Sequence, residues 1–329
     1  MVWRRHLYAP HEKVGWWGIP NLETLIVPES GTIEALWTFR TNSMGMRSDR
    51  DYPRKLPEGR HRIVVLGDSF TAGDTVMNRD RFSDLLERSY PNLDVMNFGL
   101  DGSGTDQQLL IYDAFAKYFE SDAYIFAPFW NNIARNLVDR FIFRAGSRVG
   151  ARAKPYFTLE GETLVLHNVP VPEKLIAVPK EAEKYASWWK TFDTRRKLDR
   201  LRSNLSYALE RPYAGYDTDD SPSWGLMRAI LQKFIEQANG KPVLILPLPH
   251  RVHYCFNKAA TYLARYEKLH NPSRNCFVVD PLPYFKRLSY RERKKCNGER
   301  DEHYSPIGHK VVAEAISDAL ETHCPAVLN

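Results

Sequence analysis

Three residue types that together activate a hydroxyl stand on two short stretches far apart in the chain. Ser69 lies in Gly67-Asp68-Ser69-Phe70-Thr71, and Asp301 and His303 lie in Asp301-Glu302-His303-Tyr304-Ser305-Pro306-Ile307-Gly308-His309. A serine attacks a carbonyl well only when a base removes its proton and a third group orients that base. Ser69, His303 and Asp301 supply those three types. The oxyanion formed by the attack needs preorganised donors. One stretch that offers them is Asn97-Phe98-Gly99-Leu100-Asp101-Gly102, where glycine lets backbone N–H groups come close to a ligand. The other is Trp130-Asn131-Asn132, whose amides donate from the side chain.

Such residues act only if the chain brings them to one place. Ile63-Val64-Val65-Leu66, ending in Gly67, is a short uninterrupted apolar run, the pattern of a strand buried on both faces. Arg81–Tyr90 places Phe82, Leu85 and Leu86 at helical spacing. Leu93, Val95 and Met96 form the next strand, Gln107–Phe119 a helix and Ala123–Phe129 a third strand. The alternation returns with a helix over Leu226–Asn239, a strand Val243–Leu246, a helix near Ala259–Leu269, a strand Phe277–Val279 and a last helix Lys310–Leu320. Strand–helix alternation of this kind predicts an α/β doubly wound, mainly parallel sheet between two layers of helices. Ligands of such sheets bind beyond the carboxyl ends of the strands. Ser69 stands at such an end, Gly102 and Asn131 follow the next two, and the loop of Asp301 and His303 follows the last strand and can return to the same edge.

Two regions depart from the alternation. Residues 1–60 lack helical periodicity and carry short β-like pieces at Thr24–Val27 and Ile33–Phe39, which predicts an irregular N-terminal β segment packed on a main domain at 61–329. From about 136 to 225 the pattern is interrupted by an insertion, with a hairpin of Tyr156–Leu159 and Thr163–Leu166 around Glu160-Gly161-Glu162 and a charged helix over Lys180–Leu209. Insertions at strand ends commonly shape substrate sites.

Four blocks in order, GDSF, NFGLDG, FWNN and DEH, resemble the SGNH hydrolase superfamily of GDSL esterases and lipases; the resemblance spans Arg62 to Leu320 apart from the insertion. It implies a flavodoxin-like three-layer fold with a five-stranded sheet, and a serine esterase that needs no cofactor and no metal. Residue by residue, Ser69 matches the nucleophile, His303 the base and Asp301 its partner. The backbone N–H of Ser69, with Gly102 and Asn131, matches the oxyanion hole. The chain departs from the pattern in three places. The usual DxxH spacing falls on Arg300, so Asp301 serves in a DxH form; Phe129-Trp130-Asn131-Asn132 stands for GxND, with Asn132 in place of the aspartate, so that either amide is a candidate; and GDSF replaces GDSL. The substrate expected from the resemblance is a short acyl ester, a small molecule or an O-acetylated saccharide. Two alternatives use the same residues differently: an O-acyltransferase with a saccharide acceptor, and a catalytically silent binding module.

Bland readings stand beside these. Ser69 and Asp68 suit a helix cap. Gly99 suits a tight turn, His309 a packed or capping position, and His250 and His253, after the fourth strand, either the cleft or, as the commoner outcome, the surface. Asp301, His303 and His309 match no familiar metal spacing. The basic stretch Lys190–Arg202 reads as a solvated helix face. The stretch Lys286–Lys295 reads as a solubilising loop or as an attractor of anionic substrate. Trp188, Trp189, Trp224 and Tyr213 suit either sugar stacking or core packing.

Composition narrows the classes. The 329 residues are 43% hydrophobic and 12% aromatic, too apolar for a disordered chain. A charge of +6, from 46 basic and 40 acidic side chains, is mild, and no nucleic-acid motif accompanies it. The 4 cysteines form no CxxC pair, which suits reduced thiols in the cytoplasm. A periplasmic or secreted location follows if a leader precedes this sequence. No run reaches the roughly 18 apolar residues of a membrane span. Oligomeric state is not encoded in any motif of the sequence.

Overall fold

The computed structural model describes residues 7–26, 37–145, 148–178, 214–298 and 302–328. Its centre is a sheet of 5 strands, His61–Gly67, Leu93–Asn97, Ala123–Ala127, Val243–Ile245 and Cys276–Val278, all parallel. In space the order is second, first, third, fourth, fifth. This is the 2-1-3-4-5 doubly wound order, whose crevice opens at the carboxyl ends of the first and third strands. The continuous apolar run of the first strand has its physical reason here. Val64 and Leu66 join one core with the helices Thr105–Ala114 and Pro222–Gln237. Ile63 and Val65 join the opposite core with Phe82–Ser89 and Pro306–His323. The three-layer α/β architecture expected from the sequence is the observed one.

The boundaries shift where local chemistry intervenes. The third strand stops at Ala127, because Pro128 has no N–H to donate; Phe129 continues only as a bridge to Leu248. The second-layer helix runs Thr105–Ala114, two residues earlier than its apolar spacing suggests, and a 3-10 turn at Ala116–Tyr118 follows it. Near Ala259–Leu269 only Leu263–Tyr266 is α-helical, and Glu267–Leu269 tightens to 3-10. The helix Pro306–His323 begins where Ser305 Oγ accepts from the N–H of Gly308 at 3.4 Å, with Pro306 at its first position.

Residues 7–26 and 37–40 form two hairpins, Tyr8–His11 with Gly15–Gly18 and Glu23–Ile26 with Trp37–Arg40. They are tied to the sheet domain; the Trp16 indole N–H, for instance, donates to Asp101 O at 3.0 Å. In the insertion, Tyr156–Glu160 and Thr163–His167 pair as expected. An antiparallel sheet of Arg140–Ala145, Arg148–Ala153 and Leu175–Ile176 is an element that sequence reasoning missed. The expected helix Lys180–Leu209, with Trp188, Trp189, the stretch Lys190–Arg202 and Tyr213, lies outside the described residues. The returning helix starts at Pro222, and Trp224, fully buried, packs edge-on to Tyr266 in the core. No helix among the described residues is long and apolar enough to cross a membrane.

Candidate active site

Ser69 opens a single helical turn, Ser69–Ala72, directly after the first strand. Asp68 caps that turn through a 3.0 Å bond from the N–H of Phe70. The turn leaves Ser69 pointing across the sheet edge to the loop that precedes the last helix. There the Nε2 of His303 lies 2.7 Å from Ser69 Oγ. Two groups 234 positions apart in sequence thus meet at hydrogen-bond distance. Ser69 is buried and His303 is half-buried.

The loop of His303 is held from several sides. Asn297 Nδ2 donates to Glu302 O at 2.6 Å, and Gly298 N donates to His303 O at 3.0 Å. Ser305 N donates to Cys296 O at 2.9 Å, and Tyr304 OH donates to Pro249 O at 2.6 Å. The imidazole itself lies against Phe70, with ring centroids 4.7 Å apart, and Phe70 stacks on Phe129 at 3.7 Å. The residue after the serine therefore fixes the plane of the histidine that meets the serine. Asp301 lies outside the described residues. The neighbouring carboxylate of Glu302 meets His250 Nε2 at 2.9 Å.

One shared carboxylate ties the serine turn to the two turns that carry the candidate oxyanion donors. Asp68, fully buried, accepts from Asn132 Nδ2 at 3.0 Å and from Arg135 Nη1 at 2.8 Å. The same Arg135 nitrogen donates to Ser103 O at 3.0 Å. Each partner is the immediate neighbour of a candidate: Ser103 follows Gly102, Asn132 follows Asn131 and Asp68 precedes Ser69. Gly102 has φ 76°, a conformation that glycine alone adopts without strain. Gly99 is required for a different reason. A Cβ there would stand 2.3 Å from the N of Ala72, so the second block could not close on the serine turn.

The choice between the two asparagines has a structural basis. Asn132 is buried with both ends of its amide engaged, its Oδ1 accepting from Phe129 N at 2.9 Å and its Nδ2 donating to Asp68. Asn131 precedes it on the turn, and its buried Oδ1 has no hydrogen-bond partner among the described residues. Asn132 is scaffold, which leaves Asn131 as the candidate donor.

Several expectations need correction. His250 and His253, expected at the surface, are buried because the loop after the fourth strand folds them against Trp130, at 5.3 and 5.8 Å between ring centroids. Burial pulls the pKa of His253 down to about 4, so the ring is neutral. His250 caps the short helix Arg251–Cys255 through its Nδ1, which leaves Nε2 to donate to Glu302. The stretch Lys286–Lys295 is not a loop: Leu282–Arg287 and a capped helix Tyr290–Lys295 occupy it. His309 packs as expected. Its Nδ1 accepts from Phe82 N at 3.3 Å, and burial lowers its pKa to about 3. All 4 cysteines are free and buried.

Sequence reasoning missed Arg135 and gave Asp68 only a capping part. The signal was present: an aspartate at the end of a strand buried on both faces must find a cation or several donors. It also missed Lys154 of the insertion, buried and paired with buried Asp106, whose Nζ also donates to Arg135 O at 3.2 Å.

The sheet order and the position of the serine define an α/β protein with its site at the topological switch point. No protein-family model and no curated protein sequence matches the chain. Among solved structures it is similar to a member of the lipolytic protein G-D-S-L family from Veillonella parvula, at 13% identity and a TM-score of 0.43, over 79% of this chain and 98% of that one. It is similar to the lipase/acylhydrolase from Enterococcus faecalis, at 12% identity and a TM-score of 0.42, over 80% and 96%. A third is a G-D-S-L family lipolytic protein from Desulfitobacterium hafniense, at 14% identity and a TM-score of 0.40, over 79% and 100%.

Proposed function

We propose that this chain is a serine esterase of the SGNH type, acting through an acyl-Ser69 intermediate. The observation that supports it most is the 2.7 Å approach of His303 Nε2 to Ser69 Oγ at the switch point of the sheet. In this reading neutral His303 accepts the Ser69 proton at Nε2 as Oγ bonds to the ester carbonyl carbon. The N–H groups of Ser69 and Gly102 and the amide of Asn131 hold the oxyanion. Collapse breaks the acyl–oxygen bond, and the proton on Nε2 leaves with the alcohol. Water, deprotonated by the same imidazole, then releases the acid and restores the serine. Asp301 orients His303 and stabilises the imidazolium.

The substrate in this reading is a short acyl ester, with O-acetyl groups on a saccharide as the narrower proposal. Transfer to a sugar hydroxyl would use the same acyl-serine, and the test includes it. Purified protein is given an activated acetyl ester with and without saccharides, and products are separated as free acetate and acetylated sugar. Ser69→Ala should abolish turnover and labelling by a fluorophosphonate. Wild-type rates in that variant would remove the nucleophile. Acetylated sugar as the main product would replace hydrolysis by transfer.

A further inference from the structure

The turn that carries Ser69 is short for its task. Ser69–Ala72 is 4 residues long and stops at Gly73, in the left-handed region at φ 73°. A single turn has almost no stability of its own. Its last carbonyls point out of the helix and need donors. The sheet domain does not provide all of them; residue 47, from the N-terminal segment, does.

The Arg47 guanidinium is inserted among three carbonyls, the last of the turn and two that follow it. Its Nη1 donates to Ala72 O at 2.8 Å and to Gly73 O at 2.6 Å, and its Nη2 donates to Val76 O. Arg47 is 5% exposed and lies over the Phe39 ring of the second hairpin, 5.1 Å from its centroid. A buried cation at the carboxyl end of a helical turn offsets the partial negative charge collected there. The arm that carries it is itself held. Asn42 Oδ1 accepts from Met46 N at 3.1 Å, and Ser48 N donates to Arg40 O at 3.2 Å. Arg81 Nη1 donates to Arg47 O at 2.9 Å, and Arg81 pairs with Asp84 at 2.8 Å. Burial and the like charge of Arg81 lower the Arg47 pKa to about 10, so the group remains cationic at neutral pH.

We infer that Arg47 is a positioning residue for the nucleophile, and that the N-terminal segment therefore belongs to the active-site machinery. The inference deepens the esterase reading and rests on it. Asp68 holds the turn at its first residue and Arg47 holds it at its last. Ser69 sits between the two, and its distance to His303 depends on both. Loss of Arg47 frees the far end, letting Oγ drift from Nε2.

The test uses the full chain carrying Arg47→Lys, Arg47→Met or Arg47→Ala, with Leu320→Ala as a remote, destabilised control. A lysine retains the charge but lacks the planar fork that divides the donors between Nη1 and Nη2. Arg47→Met should lower kcat on an activated acetyl ester by about 10- to 100-fold, the scale of a slightly misplaced reacting group, with KM within about twofold. Fluorophosphonate labelling of Ser69 should slow in parallel. Arg47→Lys should fall between, and added guanidinium should restore part of the kcat of Arg47→Ala but none of that of Leu320→Ala. Hydrogen exchange at the amides of residues 70–74 should speed up in Arg47→Met at a temperature where circular dichroism shows the protein folded. Unchanged kcat and exchange in folded Arg47→Met would overturn the inference. So would an equal kcat loss in Leu320→Ala at matched Tm. The exchange readout needs no activity. If wild type neither turns over nor labels, while exchange still rises in Arg47→Met, the esterase reading fails and the hold on the turn stands.

Discussion

At the scale of single residues, the division between Asn131 and Asn132 is the sharpest consequence of the geometry. Both are asparagines, adjacent, and at the end of the same strand. One has its amide used up by Phe129 N and Asp68. The other has a buried Oδ1 with no partner among the described residues. Substitution should separate them by which quantity changes. In the esterase reading Asn131→Ala removes an oxyanion donor, and kcat should fall by about 100-fold or more, with little change in Tm. Asn132→Ala leaves Phe129 N and Asp68 short of a partner in the interior, and unfolding free energy should fall by about 1–3 kcal/mol. Urea titrations and steady-state kinetics on both variants check this. If Asn132→Ala loses activity alone and Asn131→Ala loses none, the assignment is reversed. The backbone adds a second case. Gly102 sits at φ 76°. Gly102→Ala should therefore cost activity through a displaced N–H, even in protein that unfolds as one cooperative unit.

At the scale of elements, the site is a junction of three turns drawn together by one buried ion pair. Asp68 has no exposed surface, and Arg135 keeps 21% of its side chain exposed. Removing one member of a buried pair leaves an uncompensated charge, which costs about 3–5 kcal/mol. The partial exposure of Arg135 places Arg135→Met near or below the lower end of that range. Because Arg135 also joins Asp68 to Ser103, the variant should lose kcat along with stability. A change under about 0.5 kcal/mol in urea unfolding would show the clamp to be incidental. This junction also marks the border of what the sequence reveals. Four of the five strands were legible because burial on both faces leaves unbroken apolar runs, and the second despite Asp94 within it. The meeting of Ser69 with His303 was legible because one stands at a strand end and the other in the final loop. Arg135, Lys154 and Arg47 were not legible, since a lone cation reads as solvent-exposed until its partners are known. The insertion strands Arg140–Ala145 and Arg148–Ala153 were hidden for a related reason. Arginines recur along them at 140, 144, 148 and 152, and charge masks the alternation of a half-buried strand. His250 and His253 were misread because a loop rich in proline and histidine carries no apolar period, although tertiary packing against Trp130 buries both.

At the scale of the whole molecule, the parts that sequence pattern separates are joined through the region behind the serine. The N-terminal segment reaches it with Arg47, the insertion with Lys154 through Arg135 O, and the final helix with His309. The last of these has a consequence for acid stability. His309 is fully buried, and its pKa is lowered to about 3 by burial first and then by the charges of Arg81, Arg47 and His303. His253 is lowered to about 4, again chiefly by burial. In the unfolded chain both take up a proton near their ordinary value of 6.5. Between 6.5 and those lowered values the unfolded state binds more protons than the folded state, so stability decreases as pH falls. Above that window the contribution is fully present. At pH 5 each histidine should remove about 2 kcal/mol relative to pH 7. His309→Asn keeps an acceptor for Phe82 N and cannot titrate in this range. The variant should be less stable than wild type at pH 7, from lost packing, yet lose about 2 kcal/mol less on going to pH 5. Urea unfolding of both proteins at the two pH values decides it. Parallel losses would mean that His309 already carries its proton in the folded state, and that the buried cations behind the serine tolerate a third charge.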